Sequence, residues 1–133
     1  MMGPHKNLKV WQVGMDFVTE VYRLTANFPS HEVYGMVSQM RRAAVSITAN
    51  IAEGYGRSSN QEVIHFLHIS LGSSNELDTH IQIAYNLGYI GDEEFKRLDF
   101  MNDEINKMLR SLIFHRKQQT TWSLKTSKPQ NLK

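Results

Sequence analysis

The chain of 133 residues has no cysteine. This absence excludes a disulfide-stabilised scaffold and a metal site built from thiolates, and it is compatible with a reducing compartment. The N-terminus lacks the apolar core of a secretion signal, and no stretch approaches the roughly 18 consecutive apolar residues that a membrane span requires. We therefore expect a cytoplasmic protein with no membrane partner.

Catalytic motifs are also absent. Gly54-Tyr55-Gly56 follows a predicted helix and not a strand, so it indicates a helix end, not a phosphate-binding loop. Glu62 and His65 have the Glu-x-x-His spacing of di-iron bundles, but a second such pair and two further inward carboxylates are missing. Glu76 and His80 are interpreted as a contact between adjacent turns of one helix. We expect no catalytic residue, no metal, no cofactor and no enzymatic activity; a metal-dependent enzyme using Glu62 and His65 is the alternative.

Four segments repeat apolar residues at intervals of three and four, which predicts helices, and no segment convincingly predicts a strand. Ser30 and Ser59 are candidate N-terminal caps, and a left-handed glycine is expected to end the second helix near Gly54. The first helix is predicted over 8–26, the third over 59–86 and the fourth over 92 to about 115. The second is predicted to open at Glu32 and Val33, after a cap at Ser30, and to end at Gly54-Tyr55-Gly56. Because the connections are short and the length suits one domain, we expect an all-α, antiparallel, up-and-down four-helix bundle.

The predicted core consists of apolar stripes along the helices. The first helix has two such stripes about 100° apart, so its apolar face is wider than contact with one packing partner requires. Its first seam contains Trp11, Met15, Val18, Tyr22 and Thr25, and its second contains Val10, Phe17, Val21, Leu24 and Phe28. The stripe of the second helix contains Val33, Met36, Met40, Ala43, Ile47 and Ile51. That of the third contains Val63, Leu67, Ser70, Ser74, Leu77, Ile81 and Ala84, and that of the fourth contains Phe95, Leu98, Met101, Ile105, Met108 and Leu112.

Charge is unevenly distributed along the chain, although the formal net charge is only +2. Residues 116–133 contain five lysines and arginines and no acid, so residues 1–115 carry ten basic and thirteen acidic residues. We divide the chain into an N-terminal extension (1–7), a bundle domain (8–115) and a basic, flexible C-terminal tail (116–133). The tail is interpreted either as a solubilising terminus or as an arm that attracts nucleic acid.

The second helix has unusually small side chains. Between Arg42 and Glu53 it carries four alanines, one serine and no charged side chain, so a neighbouring backbone can approach closely. Arg42, Ser46, Ala49 and Glu53 recur at four, three and four residues and therefore lie on one side of the helix. With Asn50 and the second seam of the first helix, they are predicted to form the interface of a homo-oligomer. The alternative is a solvated face.

Four blocks of the sequence carry a resemblance to a known family. They are Asn7-Leu8-Lys9-Val10-Trp11, Phe28-Pro29, Gln39-Met40-Arg41-Arg42-Ala43-Ala44-Val45-Ser46-Ile47 and Asn50-Ile51-Ala52-Glu53-Gly54-Tyr55-Gly56-Arg57. Over residues 7–115 the chain resembles the bacterial four-helix-bundle family first noted in intervening sequences of 23S ribosomal RNA genes. The resemblance implies a ring-shaped homopentamer, no known enzymatic activity and a role connected with RNA. A related branch of the family accompanies the reverse transcriptases of diversity-generating retroelements.

One residue departs from the pattern of that family. Thr48 stands where the family usually has proline. Proline removes a backbone hydrogen bond and threonine does not, so the departure puts in doubt a local kink in the second helix.

Two functional hypotheses follow. In the first, the protein binds RNA or other nucleic acid without sequence specificity through Arg41, Arg57, Arg110, Arg116 and Lys117, and this binding weakens steeply with salt. Several of these cations lie at predicted helix ends, where the helix dipole alone also favours them. In the second, the ring is a scaffold that binds a protein partner, such as a reverse transcriptase or another nucleic-acid enzyme.

Overall fold

Four helices form the fold. In the computed structural model the backbone of residues 3–131 and the side chains of residues 3–120 are described, and the described backbone contains no strand. Helix α1 spans Lys9–Thr25, α2 spans Ser38–Tyr55, α3 spans Asn60–Asn86 and α4 spans Asp92–Asn131. Each helix packs against the next, and α1 also packs against α4, which closes the bundle. The prediction of an all-α four-helix bundle is confirmed.

The start of α3 follows the predicted pattern. Ser59 Oγ accepts a hydrogen bond from the backbone N–H of Glu62 at 3.2 Å and donates one to Glu62 Oε1 at 3.0 Å. These bonds satisfy an otherwise unpaired amide of the first turn. The helix ends before Gly88, whose φ of +79° is the left-handed conformation that glycine adopts most easily.

Gly54 has a different role from the one predicted. It lies inside α2, and its neighbour Gly56, at the C-terminal cap, has an ordinary right-handed conformation. A Cβ atom at Gly54 would lie 2.8 Å from Phe66 Cβ and 3.4 Å from the carbonyl oxygen of Val63. The glycine is therefore required by the close approach of α2 to α3, not by a left-handed helix end.

The regular α-helix begins later than predicted, at Ser38 and not at Glu32 or Val33. Ser30–Glu32 form a 3₁₀ turn and Val33–Val37 a wider π turn, in which Gly35 (φ −110°, ψ −109°) departs from helical geometry. The predicted cap Ser30 makes no capping bond; instead the Glu32 carboxylate accepts from the Met36 N–H at 3.3 Å. This irregular segment rotates Val33 out of the predicted core stripe, and the Val33 side chain is 48% exposed.

The buried residues confirm the predicted stripe of α3 in full and contradict the prediction made for the second seam of α1. All seven residues of the predicted α3 stripe are buried. In α1 and just after it, the second seam is the buried one: Val10, Phe17, Val21, Leu24 and Phe28 are each at most 8% exposed. The prediction that this seam faces a neighbouring subunit is therefore wrong, because it packs inside its own chain. Met15 and Tyr22, from the first seam, are about two-fifths exposed.

Polar side chains inside the bundle join its helices. Ser70 Oγ donates to the carbonyl oxygen of Ile47 at 2.8 Å, which ties α3 to α2. Ser74 Oγ donates to Asn102 Oδ1 at 2.8 Å, and Asn102 Nδ2 donates to the carbonyl oxygen of Ser74 at 3.0 Å, which ties α3 to α4. Every buried side-chain nitrogen and oxygen in the described part of the chain has a partner. These bonds set the register of α3 against both neighbours.

Helix α4 continues beyond its predicted end near His115. Asn60 Nδ2 donates to the carbonyl oxygen of Arg116 at 2.8 Å, and Arg116 Nη1 donates to Asn60 Oδ1 at 2.9 Å. These bonds hold the start of α3 against α4 at the boundary predicted between the bundle domain and the tail. The backbone is helical to Asn131, so α4 ends later than predicted. The side chains from 121 onward and residues 132 and 133 lie outside the described part.

Helix α2 runs without interruption through Thr48. Thr48 is 5% exposed, and its hydroxyl donates to the carbonyl oxygen of Val45 at 3.0 Å within the same helix. The backbone amide of a threonine is retained, so the helical hydrogen bonds continue past this position.

No helix in the described residues is both long and apolar enough to cross a membrane.

Candidate functional site

A wide groove lies between the end of α1, the irregular segment 30–37 and α2. Its volume is about 860 Å³, and the side chains that line it are mostly apolar. Tyr34 is 95% exposed at its edge, and Tyr22, Val33 and Val45 are each about two-fifths to one-half exposed. Apolar side chains gathered at an open surface are typical of an interaction site.

The residues predicted to form a subunit interface lie largely along this groove. Arg42, Ser46, Ala49 and Asn50 all line it. Arg42 and Ala49 are exposed, whereas Ser46 and Asn50 are half-buried.

The polar atoms of the half-buried pair are used within the chain. Asn50 Nδ2 donates to Ser46 Oγ at 3.0 Å and to its carbonyl oxygen at 2.8 Å, and Ser73 Oγ of α3 donates to Ser46 Oγ at 2.8 Å. Glu53 is exposed on the next turn and pairs with Arg57 at 3.4 Å. The surface left for a partner therefore consists chiefly of Arg42, Ala49 and the apolar wall beside them.

Sequence reasoning missed the apolar wall of the groove. It placed Val33 in the core stripe and gave Tyr34 and Val45 no role. The signal that was present is Gly35, since glycine inside a helical pattern weakens the prediction of a continuous helix. The groove is lined by Val33, Tyr34 and Val37 of this π turn.

Glu32 fixes the wall of the groove to the rest of the bundle. Tyr89 Oη, in the turn between α3 and α4, donates to Glu32 Oε2 at 2.8 Å. The pKa of Glu32 is lowered, chiefly because the Tyr89 hydroxyl and then the Met36 amide donate to its charged form. The same bond to Glu32 raises the pKa of Tyr89.

Of the five cations predicted to bind nucleic acid, Arg41 is separated from the other four. It lies near the start of α2, where its Nε donates to Thr25 Oγ1 at 2.9 Å and its Nη2 donates to the carbonyl oxygen of Tyr22 at 3.2 Å. Its guanidinium also covers the Tyr22 ring, 4.5 Å from the ring centre. Arg41 therefore adds a donor and a positive charge at the C-terminal end of α1, which the helix dipole favours.

The other four cations lie toward the opposite end of the bundle, and we call Arg57, Arg110, Arg116 and Lys117 the basic end. The Arg57 guanidinium lies 4.9 Å from the centre of the Phe66 ring, and the Arg116 guanidinium lies 4.9 Å from that of Tyr55. Arg57 also pairs with Glu53 and, at 4.0 Å, with Glu62. Arg110 and Lys117 are exposed on α4. Asn60 and the Tyr55 ring bring Arg116 to the connection between α2 and α3 that carries Arg57, and Arg110 and Lys117 lie near Arg116 along α4.

Of the histidines in the two Glu–His pairs, His65 is exposed and His80 is half-buried. His65 is exposed, with its ring against that of Phe66 at 5.3 Å, and Glu62 is bonded to Ser59. His80 Nε2 lies 3.1 Å from Glu76 Oε2, which confirms the predicted contact between helical turns. Among the described residues, no three histidines or carboxylates come together in a group that could hold a metal ion.

Comparison with known proteins identifies the family. Residues 6–111, which span the bundle from before α1 to well into α4, match the model of the family described as 23S rRNA-intervening sequence protein. A crystal structure from Bacteroides thetaiotaomicron VPI-5482, described as a protein with unknown function from the S23 ribosomal protein family, is similar in fold, with a TM-score of 0.71. The identity is 28%, over 78% of this chain and 97% of that one. No curated protein matches. With the match extending over most of its length, this chain belongs to the 23S rRNA-intervening sequence protein family.

Proposed function

We propose that this protein is a non-enzymatic, cytoplasmic RNA-binding protein that assembles into a homopentameric ring. The observation that carries RNA binding is the gathering of Arg57, Arg110, Arg116 and Lys117 at one end of the bundle. RNA is contacted there through its phosphates, without readout of base sequence. A ring of five repeats the basic end five times, so individually weak contacts add through multivalency.

The groove along α2 supports the assembly. Its exposed apolar wall and the small side chain of Ala49 suit close packing of another subunit, and Arg42 at its edge offers a cation to a carboxylate of the neighbour. Native mass spectrometry of the purified protein is expected to give five copies of the chain. A mass equal to one chain at micromolar concentration would contradict the assembly.

RNA binding is tested by its salt dependence. We expect the affinity for a fluorescently labelled RNA, measured by anisotropy, to fall about 50-fold between 50 and 200 mM salt if four phosphates of a single strand are contacted. The variant Arg110→Glu should bind several-fold more weakly and with a smaller salt dependence. Lys96→Glu, the same charge change on α4 near the opposite end, is the control and should bind as the wild type does. Affinity that does not change with salt would contradict this mechanism.

A second candidate function is a scaffold for a nucleic-acid enzyme. It is favoured by the groove itself, because the 95% exposed ring of Tyr34 offers a protein partner an aromatic anchor. Affinity capture from lysate with and without nuclease separates the two functions. A nucleic-acid enzyme that remains bound after nuclease treatment and is lost in Tyr34→Ala supports the scaffold; a partner lost with the nuclease supports RNA binding.

A further inference from the structure

The two halves of α4 have opposite charge. Residues 92–104 contain six acids and two basic residues, whereas residues 105–120 contain four basic residues and no acid. The change of sign lies within one continuous helix. Acids at the start and cations toward the end both suit the helix dipole, so charge alone does not require a ligand.

The dipole does not explain the aromatic ring in the basic half. Phe114 is 59% exposed and lies outside the buried core. Arg110 is four residues before it and Lys117 three residues after it, so the three side chains share one face of the helix. Both cations are exposed, and among the described side chains the ring of Phe114 meets only the ring of His115, edge-on, with ring centres 5.9 Å apart. The face therefore combines one open aromatic surface with positive charge on both sides.

We propose that this face of α4 binds single-stranded RNA, with Phe114 stacking on an unpaired base and Arg110 and Lys117 contacting the flanking phosphates. The inference rests on the proposed RNA binding and names the form of RNA that the basic end selects. Unpaired bases expose flat faces that stack on aromatic side chains, whereas in a duplex those faces are covered by neighbouring pairs. A stripe of cations with an exposed aromatic ring is complementary to a single strand in both charge and shape.

Phe114→Ala and Phe100→Ala form a matched pair of variants. Phe100 is 64% exposed on the same helix, but it lies in the acidic half. Each variant and the wild type are titrated at low salt against a fluorescent oligouridine and against an RNA duplex of the same length. We expect Phe114→Ala to weaken binding of the single strand about tenfold and to leave duplex binding nearly unchanged. Phe100→Ala should change neither, and Phe114→Trp should retain binding of the single strand.

The outcomes distinguish a failure of RNA binding from a failure of the stacking site at Phe114. If the wild type binds neither probe, the proposed RNA-binding function is wrong. If it binds both probes and Phe114→Ala behaves like Phe100→Ala, the stacking site is wrong and general phosphate binding stands. An equal loss of binding to the single strand and the duplex in Phe114→Ala would also overturn the site. Since both side chains are exposed, circular dichroism should give the same helix content for all variants.

Discussion

Gly14 sets how closely α1 approaches α2. It is buried on α1, and a Cβ atom built on it would lie 2.7 Å from the Cγ2 methyl of Thr48. The Thr48 side chain has little freedom to move away, because it is β-branched and its hydroxyl is bonded to the carbonyl oxygen of Val45. Gly72 on α3 has no atom within 4 Å of the same built position.

These two glycines are expected to respond in opposite ways to alanine. Gly14→Ala should destabilise the fold by about 1–2 kcal/mol, since overpacking outweighs the gain in helix propensity. Gly72→Ala should stabilise it by about 0.5–1 kcal/mol, because only the propensity changes. Urea unfolding measures both. Adding Thr48→Ser to Gly14→Ala removes the clashing methyl and should recover part of the loss; equal stability of the two alanine variants would refute the close contact.

At the scale of elements, the irregular segment 30–37 is held by a link to the turn between α3 and α4. Glu32 is the centre of the link, since it accepts hydrogen bonds from Met36 in its own segment and from Tyr89 across the bundle end. Phe28 and Tyr89 also pack with ring centres 5.2 Å apart. The wall of the groove is therefore held both by the hydrogen bonds of the Glu32 carboxylate and by this ring contact.

Tyr89→Phe is expected to raise the pKa of Glu32 toward its usual value of about 4.3, because the largest donor to the charged carboxylate is lost. In the wild type the folded-state pKa lies below the unfolded one, so this bond stabilises the fold above the usual pKa. The stabilisation disappears as the pH falls through the folded-state value. NMR titration of the Glu32 side chain measures the shift.

Tyr85→Phe is the matched control for that titration. Tyr85 Oη donates to Asp92 Oδ1 at 2.6 Å, so this variant also loses a hydroxyl bonded to a carboxylate but leaves Glu32 intact. The pKa of Glu32 should stay unchanged. A similar Glu32 titration in both variants would mean that the bond from Tyr89 is not formed in solution.

Helix periodicity predicted the elements that depend on local contacts. The α3 stripe and the Ser59 cap were found because each is set by residues three or four positions apart. The start of α2 was missed because Glu32, not Ser30, is the capping residue. The bond that Tyr89 donates to Glu32 joins residues 57 positions apart. No local pattern contains that contact.

At the scale of the whole molecule, the groove and the basic end lie in different regions of the bundle. The groove is built at the junction of α1 and α2, and the basic end is where α2, α3 and the later turns of α4 meet. The two regions share no residue, so a substitution in the groove does not alter the basic end itself. Self-association and the contacts of one basic end with RNA are thus expected to be separable by mutation, while the avidity of the ring requires both.

Ala49→Arg tests whether the groove is an interface between subunits. A long charged side chain at the exposed Ala49 should block a neighbouring subunit, so native mass spectrometry is expected to give the mass of a single chain. Circular dichroism should show that the helix content is unchanged. Thr79→Arg, at an exposed position on α3 outside the groove, is the control and should keep the mass of the wild type. An unchanged mass for Ala49→Arg would exclude this face of α2 from the interface.

The sequence by itself determined the helical class and most core positions, because periodicity and caps are local properties. It named the polar and charged members of the candidate sites but not the apolar wall of the groove. Only the tertiary structure decided which seam of α1 is buried, since both seams satisfy the same period and the choice depends on neighbouring helices. It likewise placed Arg41 apart from the other four cations and opened the groove beside Tyr34. These features arise from contacts between residues far apart along the chain, which no local pattern encodes.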